Sequence, residues 1–144
     1  MAIQINFSIE DGFEKMDFDK VTELLSGTYW SKGISKQEVM KGAENSALVV
    51  GIFNKAHQQI AYSRVISDKT RFAYILDVIV DEDYRKQGVG QAMVNFILTH
   101  PAFDDVYQWL LITKDAHGVY EKVGFGSVQR PGDWMEIRNE RPDR

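Results

Sequence analysis

The feature that most constrains the fold is an apolar run that ends abruptly at a basic, glycine-containing loop. The run Ile75–Val80 is apolar except for one aspartate, and a short acidic turn follows it. The loop Arg85–Gly90 then supplies two positive charges and two glycines, and helical periodicity begins at its end. A strand that leads into a glycine loop and a helix N-terminus commonly holds a phosphate-bearing ligand, because the first N–H groups of the helix favour anions. The stretch therefore predicts a strand, an anion-binding loop and a helix.

Composition narrows the class of protein. The chain has 144 residues, of which 44% are hydrophobic and 26% charged, so we expect a single domain over residues 1–144. A net charge of −4 argues against a nucleic-acid-binding surface, and no apolar run is long enough to span a membrane, so we expect a cytoplasmic protein. There is no cysteine, and the three histidines fit no ligand spacing, so no metal site is expected.

The pattern of hydrophobic residues predicts an α+β fold with a mixed, mostly antiparallel sheet of six or seven strands and about four helices. Strands 47–53, 59–67 and 72–80 are joined by short turns, which favours an antiparallel meander. Strand 72–80, a helix from 88 to 99 and strand 106–113 imply a crossover and a parallel pair. The remaining predicted strands are 4–9, 125–129 and 134–138, and a turn is predicted at 10–12. The other three helices are predicted to be capped by Asp17 or Asp19, by Ser35 and by Asp115.

Two motifs resemble landmarks of the GNAT acetyltransferase superfamily. Arg85-Lys-Gln-Gly88-Val-Gly90 is similar to its Arg/Gln-x-x-Gly-x-Gly/Ala signature and follows the fourth strand, as it does there. Further on, Asp115–Phe125 resembles a second landmark, a short helix with a tyrosine followed by Gly-Phe. A single Gly-x-Gly motif would be weak support for membership of a family. Here both motifs are present, and the predicted order of strands and helices from residue 3 to 138 matches that of the superfamily. The resemblance implies the GNAT fold, with central parallel strands that splay apart.

The resemblance also implies that acetyl-CoA is the co-substrate. Its pyrophosphate would bind at the start of the third helix, and its pantetheine arm would run beside the strand where two strands separate. The alternative is that the glycines merely make a tight strand-to-helix turn. The implied cofactor-binding residues are Val78, Val80, Arg85, Lys86, Gln87, Gly88, Val89, Gly90 and Gln91.

Acetyl transfer to an amine needs a neutral amine, a donor for the developing oxyanion and a proton for the leaving thiolate. Tyr120 falls where the family often has a tyrosine near the cofactor sulfur, so the resemblance implies that it supplies that proton. The alternative is a core tyrosine whose hydroxyl is satisfied. The oxyanion donor is expected to be a backbone N–H near Val78.

Asp77 is the other catalytic candidate, because it is a single charge inside a run that should be buried. It could bind the amine or accept its proton, or it could be a structural carboxylate bonded to backbone or to Arg64. Some relatives have Glu-Asp where this chain has Leu76-Asp77, so no base is carried over at Leu76. Regular alternation would place Asp77 and Ile79 on the same face as Ala73 and Ile75.

The remaining expectations concern the acceptor. The loop between the first two helices should form one wall, which makes Tyr29 and Trp30 candidates for contact with the acceptor, and Arg64 and Tyr74 lie on neighbouring strands. The leading hypothesis is transfer to a primary amine of a small molecule. The alternatives are a protein or peptide N-acetyltransferase and a non-catalytic acyl-CoA-binding module.

Two further residues and the chain end complete these expectations. Thr113 stands where many relatives have asparagine, so the contact of that asparagine is not carried over. His117 is read either as a proton carrier or as a solvent-facing residue. The short last strands could pair with each other or exchange between two copies, and exchange would give a homodimer.

Overall fold

The sheet follows chain order from one edge to the other. The computed structural model describes residues 6–141. Strands β1 to β4 are antiparallel neighbours, and β5 lies parallel to β4. The described residues therefore form five strands rather than the predicted six or seven, while the α+β class and the parallel pair are confirmed. The strands are β1 (Ser8–Asp11), β2 (Leu48–Phe53), β3 (Gln59–Ser67), β4 (Phe72–Val80) and β5 (Gln108–Leu110).

Within residues 6–141, four α-helices flank the sheet: α1 (Phe18–Ser26), α2 (Lys36–Glu44), α3 (Val89–Leu98) and α4 (His117–Glu121). Two begin at the predicted caps, because the side chains of Asp17 and Ser35 accept hydrogen bonds from backbone N–H groups of their own first turns. Asp115 was expected to cap α4, but the residue before that helix is Ala116. The expectation that Glu10 and Asp11 form a turn is also wrong, since both belong to β1, and residues 4 and 5 lie outside the described part.

Each face of the sheet has its own core. On one face Val89, Met93 and Ile97 of α3 are buried against β2, β3 and β4. On the other face, α1 and α2 bury Val21 and Val39 against the sheet. This sandwich fixes the start of α3 beside the end of β4, because both ends of the connecting loop are held in the same core.

The regular alternation predicted for β4 is wrong, because a β-bulge at Asp77 reverses the faces of the residues that follow it. Arg64 pairs with Leu76 and Tyr62 with Ile79, so two residues of β4 oppose one residue of β3. Asp77 itself has a φ of 57°, a left-handed conformation that aspartate tolerates better than most residues. Val78 and Val80 therefore join the α3 face with Ala73 and Ile75, while Ile79 packs on the other face.

The predicted strands 125–129 and 134–138 do not form, and this prediction is wrong for the chain taken alone. A 3₁₀ turn at Pro131–Asp133 stands between them, and β5 is shorter than predicted. Strands require a partner for their backbone groups, and these segments have none within residues 6–141.

Candidate functional site

The loop after β4 has the geometry of an anion site. Lys86 and Gly88 have left-handed φ values of 62° and 80°, a turn geometry that gathers backbone N–H groups on one side. The first helical bond of α3 runs from the Ala92 N–H to the Gly88 carbonyl at 3.0 Å. The N–H groups of the turn before Ala92 thus have no helical acceptor and can bind anionic oxygens. These residues fit a pyrophosphate.

Contacts within the loop hold it against the end of β4. The Arg85 Nε donates to the Val80 carbonyl at 3.0 Å, and the Gln87 side-chain amide donates to the Asp83 carbonyl at 3.4 Å. A Cβ at Gly90 would lie 3.7 Å from the Val80 side chain, which is an ordinary contact. The cofactor candidates from Val78 to Gln91 therefore lie together along the end of β4 and the start of α3, except that Val89 turns its side chain into the core.

β4 and β5 separate next to these residues. Their pairing ends at Tyr74 and Leu110, so Val78 and Val80 lie beyond the last parallel pair. Tyr120 of α4 packs into the same apolar cluster as those two valines. The end of β4 and the acid candidate on α4 therefore share one apolar cluster beyond the point where the strands separate.

Tyr120 has the protonation state that an acid requires. Burial raises the pKa of its phenol above the ordinary value, and the nearby Tyr29 and Asp115 raise it further. The phenol is therefore protonated at neutral pH.

Asp77 lies at the centre of a polar and aromatic group. One carboxylate oxygen accepts from the Trp30 indole N–H at 3.1 Å, and the other accepts from the Arg64 Nε at 2.7 Å. The side chains of Asp77 and Arg64 are 14% and 19% exposed, so the ion pair is largely shielded from water. Burial raises the pKa of Tyr74, and the charge of Asp77 adds to that shift. The alternative in which Asp77 bonds to Arg64 is thus observed.

The aromatic loop continues from this group toward α4. Tyr29 and Trp30 meet edge to face with ring centroids 5.0 Å apart, and the Lys114 ammonium lies 5.3 Å from the Tyr29 ring centroid. Of the four acceptor candidates, Trp30 and Arg64 bond to Asp77, and Tyr29 packs on Trp30. Tyr74 lies on the same strand as Asp77, and the charge of that carboxylate affects its pKa.

Sequence reasoning missed Tyr62, which lines a cavity of about 300 Å³ together with Arg64 and Asp77. The Tyr62 side chain is fully buried, and its hydroxyl has no hydrogen-bond partner among the described residues. Burial raises the pKa of this phenol strongly. Alternation along β3 would predict its burial, but only the bulge at Asp77 reveals that it faces the same cavity as that carboxylate.

The remaining candidates have local roles. The Thr113 hydroxyl accepts from the Ala116 N–H at 3.0 Å, at the entry to α4. His117 is exposed and borders a groove beside β5 that Tyr120 also lines. Within residues 6–141 no group of three or more acidic, histidine or cysteine side chains is placed to hold a metal ion. In that same range, no helix has the length and apolar character needed to cross a membrane.

Asp77 can be tested as a structural residue. Asp77→Ala leaves the Arg64 charge unpaired and places alanine, which adopts a left-handed φ less readily than aspartate, at this position, so we expect a loss of about 2–4 kcal/mol in the free energy of unfolding. Asp77→Asn tolerates that φ and still accepts from Trp30, so it should lose less than half as much. Urea unfolding of both variants measures the losses, and an unchanged free energy of unfolding in Asp77→Ala would contradict the structural role.

Comparisons with known proteins agree with this geometry. Residues 44–126 match the family model of the acetyltransferase (GNAT) domain. A solved GNAT-family acetyltransferase from Xanthomonas campestris pv. campestris is 29% identical, with 96% of each chain covered and a TM-score of 0.88. A Deinococcus radiodurans structure described as an acetyltransferase is 20% identical, with a TM-score of 0.72 and coverage of 95% of this chain and 93% of that one.

A more distant structure shares the fold. Glucosamine-6-phosphate N-acetyltransferase from Arabidopsis thaliana is 18% identical, with a TM-score of 0.65 and coverage of 93% of this chain and 97% of that one. No curated protein sequence matches the chain. Because the family model matches more than half of the chain, including the loop and α4, the chain belongs to the GNAT acetyltransferase family.

Proposed function

We propose that the chain is an acetyl-CoA-dependent N-acetyltransferase that acetylates a primary amine of a small molecule. The observation that carries the proposal is the separation of β4 and β5 after Tyr74 and Leu110, beyond which Val78 and Val80 share one apolar cluster with Tyr120 and lead to the unpaired N–H groups at the start of α3. Family membership supports acyl transfer. The separation of the two strands gives acetyl-CoA and the amine room to bind at the same time, which supports direct attack of the amine on the thioester. Acetyl-CoA would bind with its pyrophosphate at Arg85–Gln91 and its thioester near Val78.

In the proposed reaction, the amine nitrogen attacks the thioester carbonyl carbon, so a C–N bond forms as the C–S bond breaks. The bulge at Asp77 interrupts the pairing of β4, which leaves backbone N–H groups near Val78 for the developing oxyanion. Tyr120 gives its phenolic proton to the departing thiolate. The ammonium formed at nitrogen then loses its proton to water or to an unassigned group.

For Asp77 we propose a positioning role. Its two oxygens already accept bonds from Trp30 and Arg64, and the observed pairs hold the aromatic loop against β4. A carboxylate keeps further lone pairs, so it can also attract the ammonium form of an incoming amine. Chemistry at the amine would therefore depend on Asp77 mainly through the placement of Trp30.

A small acceptor is favoured by the size and lining of the adjacent space. The cavity of about 300 Å³ beside Asp77 is bounded by α2 and by Tyr62 and Arg64, which suits a metabolite-sized ligand better than a protein chain. The unpartnered Tyr62 hydroxyl could bond to such a ligand. A protein or peptide acceptor is the alternative, and a non-catalytic acyl-CoA-binding module is a second one, favoured by Leu76 and Thr113.

Release of free CoA thiol from acetyl-CoA, measured with a panel of small amines, aminoglycosides and peptides, tests the proposal. Small amines should give acceptor-dependent release, with peptides much slower. Faster release with peptides would move the assignment to the protein class. If acetyl-CoA binds but no acceptor releases CoA, the enzyme assignment is wrong.

A further inference from the structure

Tyr62 is a fully buried residue whose hydroxyl lacks a partner. Its side chain is 0% exposed, and within residues 6–141 no group forms a hydrogen bond with its phenolic oxygen. By contrast, the buried hydroxyls of Thr28, Ser31 and Ser63 each donate to a backbone carbonyl. A buried hydroxyl without a partner lowers the stability of the free protein, so native structures rarely keep one. A ligand that completes the bond would account for the exception.

The cavity that Tyr62 lines has a polar inner end. On the sheet side, the cavity of about 300 Å³ is bounded by Tyr62, Arg64 and Asp77, and none of these three is exposed. Tyr62 and Arg64 are two residues apart on β3, so their side chains stand on the same face of the sheet. Lys41 and Asn45 of α2 also border the cavity, and both are exposed, which places them at its mouth. Hydrogen bonds at the shielded inner end are therefore stronger than those at the mouth.

The Arg64 guanidinium is held in place beside Tyr62 by three hydrogen bonds. Its Nε donates to Asp77 at 2.7 Å, and its Nη1 donates to the Gly42 carbonyl and to the Ser46 hydroxyl, both at 3.3 Å. A Cβ at Gly42 would lie 3.3 Å from the guanidinium, so glycine gives the planar group room against α2. None of the three bonds uses Nη2, which carries two more N–H donors. Arg64 thus offers a fixed, cationic donor to a ligand in the cavity.

The chemistry of the cavity walls indicates what such a ligand carries. Both oxygens of Asp77 already accept hydrogen bonds, so the inner end offers mainly donors, the Tyr62 hydroxyl and the Arg64 Nη2. Two donors side by side, one of them cationic, suit a carboxylate. At the mouth, the charges of Glu38 and Lys41 offset each other in sum. The rest of the wall is apolar and includes Leu25, Ile34 and Val39.

We propose that the acceptor is an α-amino acid with an apolar side chain, whose carboxylate accepts hydrogen bonds from the Tyr62 hydroxyl and from the Arg64 guanidinium. This assignment rests on the proposed function and names its substrate class. In an α-amino acid one carbon atom separates the carboxylate from the amine, and Arg64 contacts Asp77, which precedes Val78. A carboxylate on Arg64 therefore leaves the amine beside Asp77 and the proposed thioester position. The products are CoA and the N-acetyl amino acid, formed by the bond changes of the proposed reaction.

Calorimetry with L-leucine, L-leucinamide and 3-methylbutylamine tests the carboxylate. The three ligands share an amine and an apolar group, but only leucine has a carboxylate. The protein should bind leucine about tenfold more tightly than either of the others. Affinity is compared rather than turnover, because the three amines differ in the fraction that is neutral. Equal affinity for leucine and leucinamide overturns the proposal, and so does a failure of leucine to bind both with and without CoA.

Tyr62→Phe tests the hydroxyl itself. It should weaken leucine binding about tenfold and leave the affinity for 3-methylbutylamine within about twofold. The melting temperature should stay the same or rise, because the hydroxyl that is lost has no partner in the free protein.

Tyr84→Phe is the matched control. The Tyr84 hydroxyl accepts from the Asn54 side chain at 3.1 Å and lies outside the cavity. This variant should therefore lose some thermal stability and keep its affinity for leucine. If Tyr62→Phe behaves in the same way, its hydroxyl is structural and the proposal is wrong.

The release of CoA thiol separates this proposal from the proposed function. If other small amines release CoA while leucine neither binds nor reacts, the amino-acid assignment fails and the enzyme assignment stands. If leucine binds in a way that depends on Tyr62 but no acceptor releases CoA, the carboxylate site stands and the enzyme assignment fails.

Discussion

Replacing Tyr120 with phenylalanine should lower the turnover number about 100-fold, while the affinity for acetyl-CoA changes by less than about twofold. The ring would keep its place in the cluster with Val78 and Val80, so the cofactor surface should be undisturbed. Only the proton for the leaving thiolate is lost. Turnover measured with the best acceptor, and acetyl-CoA binding measured by calorimetry, separate the two effects.

Tyr29→Phe is the matched control, because it removes a phenol from the same neighbourhood. Tyr29 influences the pKa of Tyr120 but is 55% exposed and packs on Trp30 rather than among the valines. Its turnover should fall by less than about fivefold. Full activity in Tyr120→Phe would show that Tyr120 is structural and that the thiolate leaves without its help.

Elements whose stability is local were predictable from the sequence. The bounds of β3 and β4 match the prediction, because regular apolar patterns end there at turn residues. The caps at Asp17 and Ser35 were predictable for the same reason, since a capping side chain bonds within its own first turn. The glycine loop before α3 was predictable for both reasons, because it lies at the end of a regular apolar strand and at the start of a helix.

The bulge at Asp77 was not predictable by counting along β4. Strand alternation is an average rule, and an extra residue is inserted where the neighbouring strand and both cores require it. The sequence does show which residue of β4 could accept the bulge conformation, because aspartate adopts a left-handed φ more readily than the valine or isoleucine around it. Its pairing with Arg64 was considered in advance, whereas the bond to Trp30 depends on a loop far away in sequence.

The two C-terminal segments show why an alternating pattern alone does not make a strand. The patterns at 125–129 and 134–138 favour strands, but a strand without a partner leaves its backbone to water and gains no packing. No partner strand lies beside either segment within residues 6–141. Where a strong local pattern and a structure disagree, a functional or intermolecular contact is the first explanation to test.

Gly88→Val should abolish measurable acetyl-CoA binding, which corresponds to at least a 100-fold loss of affinity. Gly88 has a φ of 80°, and a β-branched residue there costs about 1–3 kcal/mol if the conformation is kept. If the loop instead relaxes, the N–H groups before Ala92 no longer converge on one anion. In either case the added side chain stands where the pyrophosphate would approach the backbone. Calorimetry with acetyl-CoA measures the loss.

Gly88→Val also introduces backbone strain, because valine would be placed at a positive φ. The control is therefore a glycine-to-valine substitution at another positive φ, far from the loop. Gly12 has a φ of 117° and follows β1, away from the loop, with only the Glu14 side chain near its missing Cβ. Gly12→Val should lower the melting temperature about as much as Gly88→Val, yet it should bind acetyl-CoA with unchanged affinity. If Gly88→Val also binds normally, the loop before α3 is a structural turn and the pyrophosphate must be held elsewhere. If both variants lose affinity together, strain alone explains the effect and the assignment loses its support.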